Sequence, residues 1–319
     1  MRIAAIDIGS NSIKLVVMDA KADDNFIMLA REKEAVRLGH DTLRDGHLAP
    51  AAITRAAECI KRFRLIAEAH EAHSLVAIAT ASVREADNAA EFVFEIERQT
   101  GVRVEVLNGI EEARLIGVAA ATNCAKRAVS LINIDIGGGS TEFSLVRDKT
   151  PVALFSVKLG AVGLTEKFIF SDPVKPKELR DIRDEISNVL EHPARELRRL
   201  SWQEATGTSG SIISIGEVLR LRDPNAKPRD AQESGAEIVL SKLEQFNERI
   251  ARMDGTERRN VRGISPQRSE IVVAGGQILE GAMRALGINR LRTCDWALRE
   301  GVILDRLSTL NAEPDPAYV

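Results

Sequence analysis

Apolar and polar positions along this chain follow two rhythms, and the same order of rhythms occurs twice. Residues 3–7, 12–19 and 26–31 are apolar, β-branched runs separated by short polar turns, which reads as three strands. Pro50 then opens a stretch in which Ile53, Ala57, Ile60, Phe63 and Ala67 recur at helical spacing. Residues 75–79, Leu-Val-Ala-Ile-Ala, are wholly apolar, as expected of a central strand covered on both faces. A helix over 89–99 stops at Gly101, a strand over 102–107 follows, and the pattern is helical again from Glu111 through Ala121. The second half repeats this order with strands over 129–136, 141–147 and 152–158, then helices. Pro176 opens a long amphipathic helix expected to kink or end at Pro193. A helix spans 212–221, and a last strand over 270–274 is expected to run into Gly275-Gly276 and a further helix. The charged stretches 222–236 and 254–269 read as exposed loops. The boundary falls near 122–128, giving domains 1–124 and 125–319, with the last helix able to pack back on the first. Each half reads as α/β with a mixed sheet.

Composition narrows the classes. At 319 residues the chain has length for two cores, and 44% hydrophobic with 29% charged residues is ordinary for a soluble globular protein. A net charge of −3 argues against a general nucleic-acid binder, so any anionic ligand must be held by a local group of cations and amides. Cys59, Cys124 and Cys294 are odd in number and lack metal-type spacing, which suits reduced core thiols. The N-terminal run is broken by Asp7 and reads as a first strand, not a signal peptide. No apolar run approaches the roughly 20 residues that span a bilayer, so a cytoplasmic location without a membrane partner is expected.

The chemistry begins with a near-duplication. Ile6-Asp7-Ile8-Gly9-Ser10-Asn11-Ser12 recurs as Ile134-Asp135-Ile136-Gly137-Gly138-Gly139-Ser140-Thr141. A buried strand carries an aspartate only where its charge is paired or binds a cation. Glycines after each acid let backbone N–H groups approach a phosphate, and Ser10, Asn11, Ser12, Ser140 and Thr141 add side-chain donors. Asp135 and Glu142 offer hard oxygens suited to Mg²⁺, with Asp7 as the equivalent acid of the first copy. Lys14 either reaches the phosphate or is a plain strand residue.

Three further elements stand beside the pair. Glu111 and Glu112 open a helix about 100° apart, so only one can face a cleft; that one can position a water, or both can serve the helix dipole. Arg84 follows the buried strand 75–79, where it can clamp a phosphate or be a solvated loop residue. Gly207-Thr208-Ser209-Gly210-Ser211 precedes a helix, as an anion cradle or a simple cap, and lacks the lysine of a Walker loop. The five histidines lie outside every glycine turn, and no Gly-x-Ser-x-Gly motif occurs.

These segments, with Val36-Arg37-Leu38-Gly39, Thr80-Ala81-Ser82-Val83-Arg84, Gly109-Ile110-Glu111-Glu112-Ala113-Arg114 and Ala297-Leu298-Arg299-Glu300-Gly301, resemble the exopolyphosphatase/guanosine pentaphosphate phosphohydrolase family in family order. The resemblance implies a duplicated actin-like (ribonuclease-H-like) fold with an interdomain cleft. It implies Mg²⁺-dependent (alternatively Mn²⁺-dependent) cleavage of a terminal phosphoanhydride by water, and a homodimer. Glu112 would be the base or water-positioning residue. Asp135, Glu142 and Asp7 would be the metal-associated acids. Ser10, Asn11, Ser12, Arg84, the Gly137, Gly138, Gly139, Ser140, Thr141 turn and Ser209, Gly210, Ser211 would contact phosphate, and Arg37 and Arg268 would line the substrate path. Ser209 and Ser211 stand where relatives often have glycine and threonine. Longer members carry a helical module similar to HD-type phosphohydrolases; this sequence has no paired His-Asp motif, so short polyphosphate is the expected substrate. Guanosine pentaphosphate is the close alternative, with an actin-like kinase and a non-catalytic sensor behind it.

Overall fold

Asp7 and Asp135 lie at the same depth of two sheets that repeat one plan, as seen in a computed structural model. It describes all residues except 22–25, 41, 125–129, 223–234 and 313–319. The first half runs β1 (Arg2–Ile8), β2 (Ile13–Ala20), β3 (Phe26–Glu34), α1 (Thr42–Asp45), α2 (Pro50–Ala69), β4 (Ser74–Ala79), α3 (Ala81–Arg84), α4 (Ala89–Thr100), β5 (Val104–Val106) and α5 (Gly109–Cys124). The second runs β6 (Ser130–Ile136), β7 (Thr141–Arg147), β8 (Thr150–Val157), α6 (Ala161–Phe168), α7 (Pro176–Leu197), β9 (Glu204–Thr208), α8 (Ser209–Arg222), β10 (Glu237–Val239), α9 (Leu240–Arg252), α10 (Gly255–Arg259), α11 (Val272–Leu286), β11 (Arg290–Thr293) and α12 (Leu298–Ala312).

Strand order is β3-β2-β1-β4-β5 in one sheet and β10-β11-β9-β6-β7-β8 in the other. Both are mixed: β1 pairs antiparallel with β2 and parallel with β4, as β6 does with β7 and β9. The wholly buried β6 and nearly wholly buried β1 explain their continuous apolar runs. One face of the first sheet packs on α2 and α4, with Ile53, Ile60, Phe63, Phe92 and Ile96 in the core. The other face packs on α5 and on α12, through Leu115, Ile116, Leu298, Val302 and Ile303. Helix α5 also meets the second sheet: Ser144 Oγ on β7 donates to the Ala113 carbonyl (2.6 Å), and a Cβ on Gly117 would lie 2.7 Å from the Ser144 Cβ. It is therefore wedged between the two sheets.

Several expectations are corrected. Residues 270–274 form no strand; the run turns into α11, whose start is buried among helices, and a fully buried helix shows no alternation to distinguish it from a strand. Pro193 does not end α7, which runs on to Leu197. The stretch 254–269 is not simply an exposed loop. Asp254 caps α10, and Arg258 is buried on Asp172 (2.7 Å). The loop expected over 222–236 and the boundary near 122–128 fall largely on residues outside the described ones. The three cysteines are buried and free. Among the described residues no helix is long and apolar enough to cross a membrane.

Candidate active site

Both glycine turns are held by the same backbone device. Gly9 N donates to the Ser12 carbonyl (3.3 Å) and Gly137 N to the Ser140 carbonyl (2.9 Å). The turns face each other closely: a Cβ on Gly138 would stand 2.6 Å from the Ser10 Cβ. Here the glycine is required by an approach between halves. Each turn is braced from behind, the first by Gly39 N on the Ser10 carbonyl (2.7 Å), the second by Val162 N on the Gly138 carbonyl (2.9 Å).

Between them opens a cleft of about 560 Å³ lined by Asp7, Ser10, Asn11, Ser12, Glu112, Asp135, the Gly137–Ser140 turn and Ser209, Gly210, Ser211. Arg268 joins them, with Lys14, Arg31, Lys33 and Arg299; of these, Arg31 and Lys33 lie in none of the sequence motifs. A larger hollow of about 940 Å³ lies between α7, α9 and α11, but none of these acids or turns reaches it.

The paired glutamates separate as helical geometry requires. Glu111 turns away and is held by Arg114 (2.6 and 2.8 Å), which also reaches Asp305. Glu112 faces the cleft, nearly buried. Arg84 stands behind it, donating from Nη1 to Glu112 Oε2 (2.9 Å) and to the Leu107 carbonyl (3.0 Å). Its guanidinium is thus engaged by the glutamate instead of opening into the cleft. Burial pushes the Glu112 carboxyl up to about 7; Arg84 works against the rise, and Asp135 and Asp7 add to it.

The two motif aspartates differ in partners. Asp7 Oδ2 accepts from Lys14 Nζ at 3.0 Å. Asp135 has a hydroxyl: Thr208 Oγ1 donates to its Oδ2 (2.5 Å). Asn133 Nδ2 supports that hydroxyl (3.0 Å), and Thr206 Oγ1 bonds Asn133 Oδ1 (2.9 Å). Burial raises the Asp135 carboxyl to about 6 against the Thr208 bond and Lys14, with Asp7 adding. Glu142 sits behind, almost fully buried. Ser156 donates to its Oε1 (2.8 Å), while among the described residues Oε2 has no hydrogen-bond partner. Burial, then Glu112 and Asp135, push its carboxyl well above the usual range.

The remaining predicted residues are placed as follows. Thr141 lies beneath the turn with its hydroxyl donated to the Leu159 carbonyl (2.5 Å). Arg37, with φ of 56°, pairs with Glu270 (3.3 Å) outside the cleft lining. Ser209 begins α8 at φ of 81°, with a buried Oγ that has no partner among the described residues. The relay through Asn133, Thr206 and Thr208 was missed by motif reading. Its clearest signal was Asn133, a polar residue inside the apolar run of β6, which needs a partner when buried.

Three comparisons bear on this arrangement. The chain is 32% identical over 310 residues to an exopolyphosphatase 1 of Mycobacterium leprae, covering 97% of this chain and 90% of the relative. It is 31% identical to the exopolyphosphatase 1 of Mycobacterium tuberculosis over the same length, covering 89% of that relative. Its fold matches the crystal structure of an exopolyphosphatase from Cytophaga hutchinsonii with a TM-score of 0.89 at 24% identity, covering 97% of this chain and 98% of the other. A Ppx/GppA family member from Aquifex aeolicus matches with a TM-score of 0.80 at 24% identity, over 98% and 99% of the two chains. The model of the Ppx/GppA phosphatase family matches residues 16–310, so the chain belongs to that family.

Proposed function

We propose that this cleft hydrolyses the terminal phosphoanhydride of inorganic polyphosphate and releases orthophosphate. The observation that carries the reading is Glu112, a cleft-facing carboxyl held near neutral pH and fixed by Arg84 between two amide-lined turns. The Mycobacterium relatives, matched over nearly their whole length, are themselves named exopolyphosphatases.

Phosphoryl transfer asks mainly for positioning and for stabilisation of charge on the equatorial oxygens. The turns after β1 and β6 and the start of α8 supply N–H and hydroxyl donors for that charge. Glu112 aims a water in line and accepts its proton as the water oxygen bonds to the terminal phosphorus. The P–O bond to the bridging oxygen breaks, and the shortened chain leaves with that oxygen. A base with a pKa near the working pH is suited to this.

The acids fit a divalent cation. Among the described residues, Glu142 Oε2 is a buried carboxylate oxygen with no partner, and Asp135 beside it has a hydroxyl but no cation within ion-pair distance. Among the described residues no set of three His, Cys, Asp or Glu side chains is assembled as a metal cage. That suits Mg²⁺, which binds through one or two carboxylates and fills its shell with water and phosphate; Mn²⁺ accepts the same donors. Asp135 and Glu142 would hold it, and it would neutralise charge on the transferring group.

Phosphate release from polyphosphate and from guanosine pentaphosphate, with Mg²⁺ and with Glu112→Gln as control, tests the reading. Turnover on polyphosphate is expected to fall by about 10²–10⁴ in the variant, the range for a lost general base. Near-normal turnover removes Glu112 from the role, and preference for the nucleotide moves the substrate assignment.

A further inference from the structure

Helix α11 meets its two neighbours through two glycines. Gly281 meets α7, where a Cβ would strike the Ile186 side chain, and Gly276 meets α9, where it would strike the Asn247 amide. Five residues separate them, about 140° around the helix axis, so α7 and α9 lie on different faces of α11. The hollow of about 940 Å³ opens between these three helices, at a volume usual for small-molecule sites. Ile186, Leu190 and Ala194 of α7, with Gly281 and Ala285 of α11, give it an apolar floor.

One polar group beside this floor is left without an acceptor. Gln277 of α11 lines the hollow and is 2% exposed. Arg183 Nε donates to its Oε1 (2.7 Å), which fixes the orientation of the amide and leaves its NH₂ as the free end. Among the described residues, Gln277 Nε2 has no partner. A buried donor left unpaired costs stability and calls for an acceptor. Arg183 makes that one bond, so among the described residues its terminal nitrogens have no partner either. The other arginines of the hollow are engaged. Arg284 holds Glu244 (2.6 Å) and Glu280 (3.2 Å), Arg195 bonds Glu196 (3.3 Å), and Arg198 donates to the Ala285 carbonyl. On the side of α9, Glu244 and Glu248 line the hollow and repel any ligand with several negative charges.

We propose that this hollow is a second ligand site, separate from the cleft, for a small organic carboxylate with an apolar body. Arg183 and the Gln277 amide take the carboxylate, and the hydrocarbon lies over Ile186, Leu190 and Gly281. A carboxylate accepts a guanidinium fork with both oxygens and keeps lone pairs for an amide N–H. One negative charge is what the acidic wall of α9 tolerates, which sets this site apart from a cleft that gathers phosphates. The site stands independently of the hydrolytic reading.

The test is calorimetric titration of wild type, Arg183→Gln and Gln277→Leu with decanoate, and with decylamine as a body of the same length and opposite charge. Wild type is expected to bind decanoate at least tenfold more tightly than decylamine. Each substitution is expected to weaken decanoate about tenfold, as loss of one charge-assisted hydrogen bond does. Gln277→Leu removes the orphaned amide and is expected to melt at or above wild type, so that its lost binding is not lost folding. Should it melt lower, Arg183→Gln, a change at an exposed position, decides alone. No binding of decanoate to wild type, equal binding of decylamine, or an unaltered affinity in Arg183→Gln overturns the site. None of these outcomes reads phosphate release, so each bears on the hollow and leaves the hydrolytic reading to its own test.

Discussion

The two glycine-turn hairpins share a backbone but face opposite electrostatic problems. In the first, Asp7 lies across from Lys14 on the antiparallel side and from Ile78 on the parallel side. In the second, Asp135 lies across from Glu142 and from Thr208. One register position thus holds a lysine in the first copy and a glutamate in the second. The first hairpin closes its own charge; the second is left with two acids, a hydroxyl and a carboxylate oxygen without a partner. A buried charge must be paired, protonated or bound to a cation. The first copy takes the first solution. The second leaves Asp135 and Glu142 unpaired and pushed upward, open to the proton or to the cation proposed above. The two copies therefore present a charge-paired turn facing an acidic one.

If that division holds, the largest effect comes from breaking the acidic hairpin. Asp135→Asn and Glu142→Gln are each expected to lower phosphate release by about 10²–10³, the scale of losing one preorganised electrostatic contributor to the transition state. Asp7→Asn in the neutral hairpin is expected to cost no more than about tenfold. Rate measurements at several Mg²⁺ concentrations check this, and equal losses from Asp7→Asn and Asp135→Asn would erase the distinction.

A second effect concerns stability without metal. Glu112, raised from 4.5 to about 7, and Asp135, raised from 3.8 to about 6, hold their protons more tightly folded than unfolded. Their contribution is whole below the unfolded values and is lost as pH rises through the folded ones, so it disappears between about pH 4 and 7. The metal-free protein is expected to lose on the order of 5 °C in Tm from pH 5 to 7.5, and saturating Mg²⁺ to flatten that slope. Asp135→Asn should reduce the slope strongly, and Asp7→Asn, which removes the smallest contribution to both shifts, only slightly. Thermal melts across this range, with and without Mg²⁺, decide; a flat metal-free profile contradicts the uncompensated acid group.

How much of this was visible in the sequence differs between the hairpins and their surroundings. The duplicated acid-glycine-hydroxyl pattern was legible because the strands, turns and acids are all local. The choice between Glu111 and Glu112 was not legible from residue chemistry, since it depends on how α5 rotates against β7 and β8; only the family resemblance pointed to Glu112. Arg84 illustrates the same limit: its sequence position allowed a phosphate clamp, whereas the folded chain ties it to Glu112 from the next crossover. Lys33 is part of an ordinary charged strand end until the register sets it opposite Lys14. Residues 270–274 misled because a β-branched run buried on every side looks the same in either conformation.

The smallest effect isolates the parallel neighbour. Thr208→Val removes the hydroxyl that donates to Asp135 Oδ2 and leaves the chain volume almost unchanged. Asp135 then loses the hydrogen bond that works against its burial, and its carboxyl rises further. The Asn133 amide also loses the oxygen it supports. Partners that orient a metal-binding carboxylate are typically worth 10–100-fold in metal affinity. Here the lower end, about tenfold, is expected in the Mg²⁺ needed for half-maximal rate, with little change in kcat once Mg²⁺ saturates. Thr208→Ser retains the hydroxyl and should behave as wild type. Ile78, which holds the equivalent place beside Asp7, offers the counterpart: Ile78→Val trims an apolar contact and should leave the Mg²⁺ requirement unmoved. A Thr208→Val protein with an unaltered Mg²⁺ requirement would mean that Asp135 needs no hydroxyl to meet its cation, and the difference between the hairpins would then rest on Lys14 and Glu142 alone.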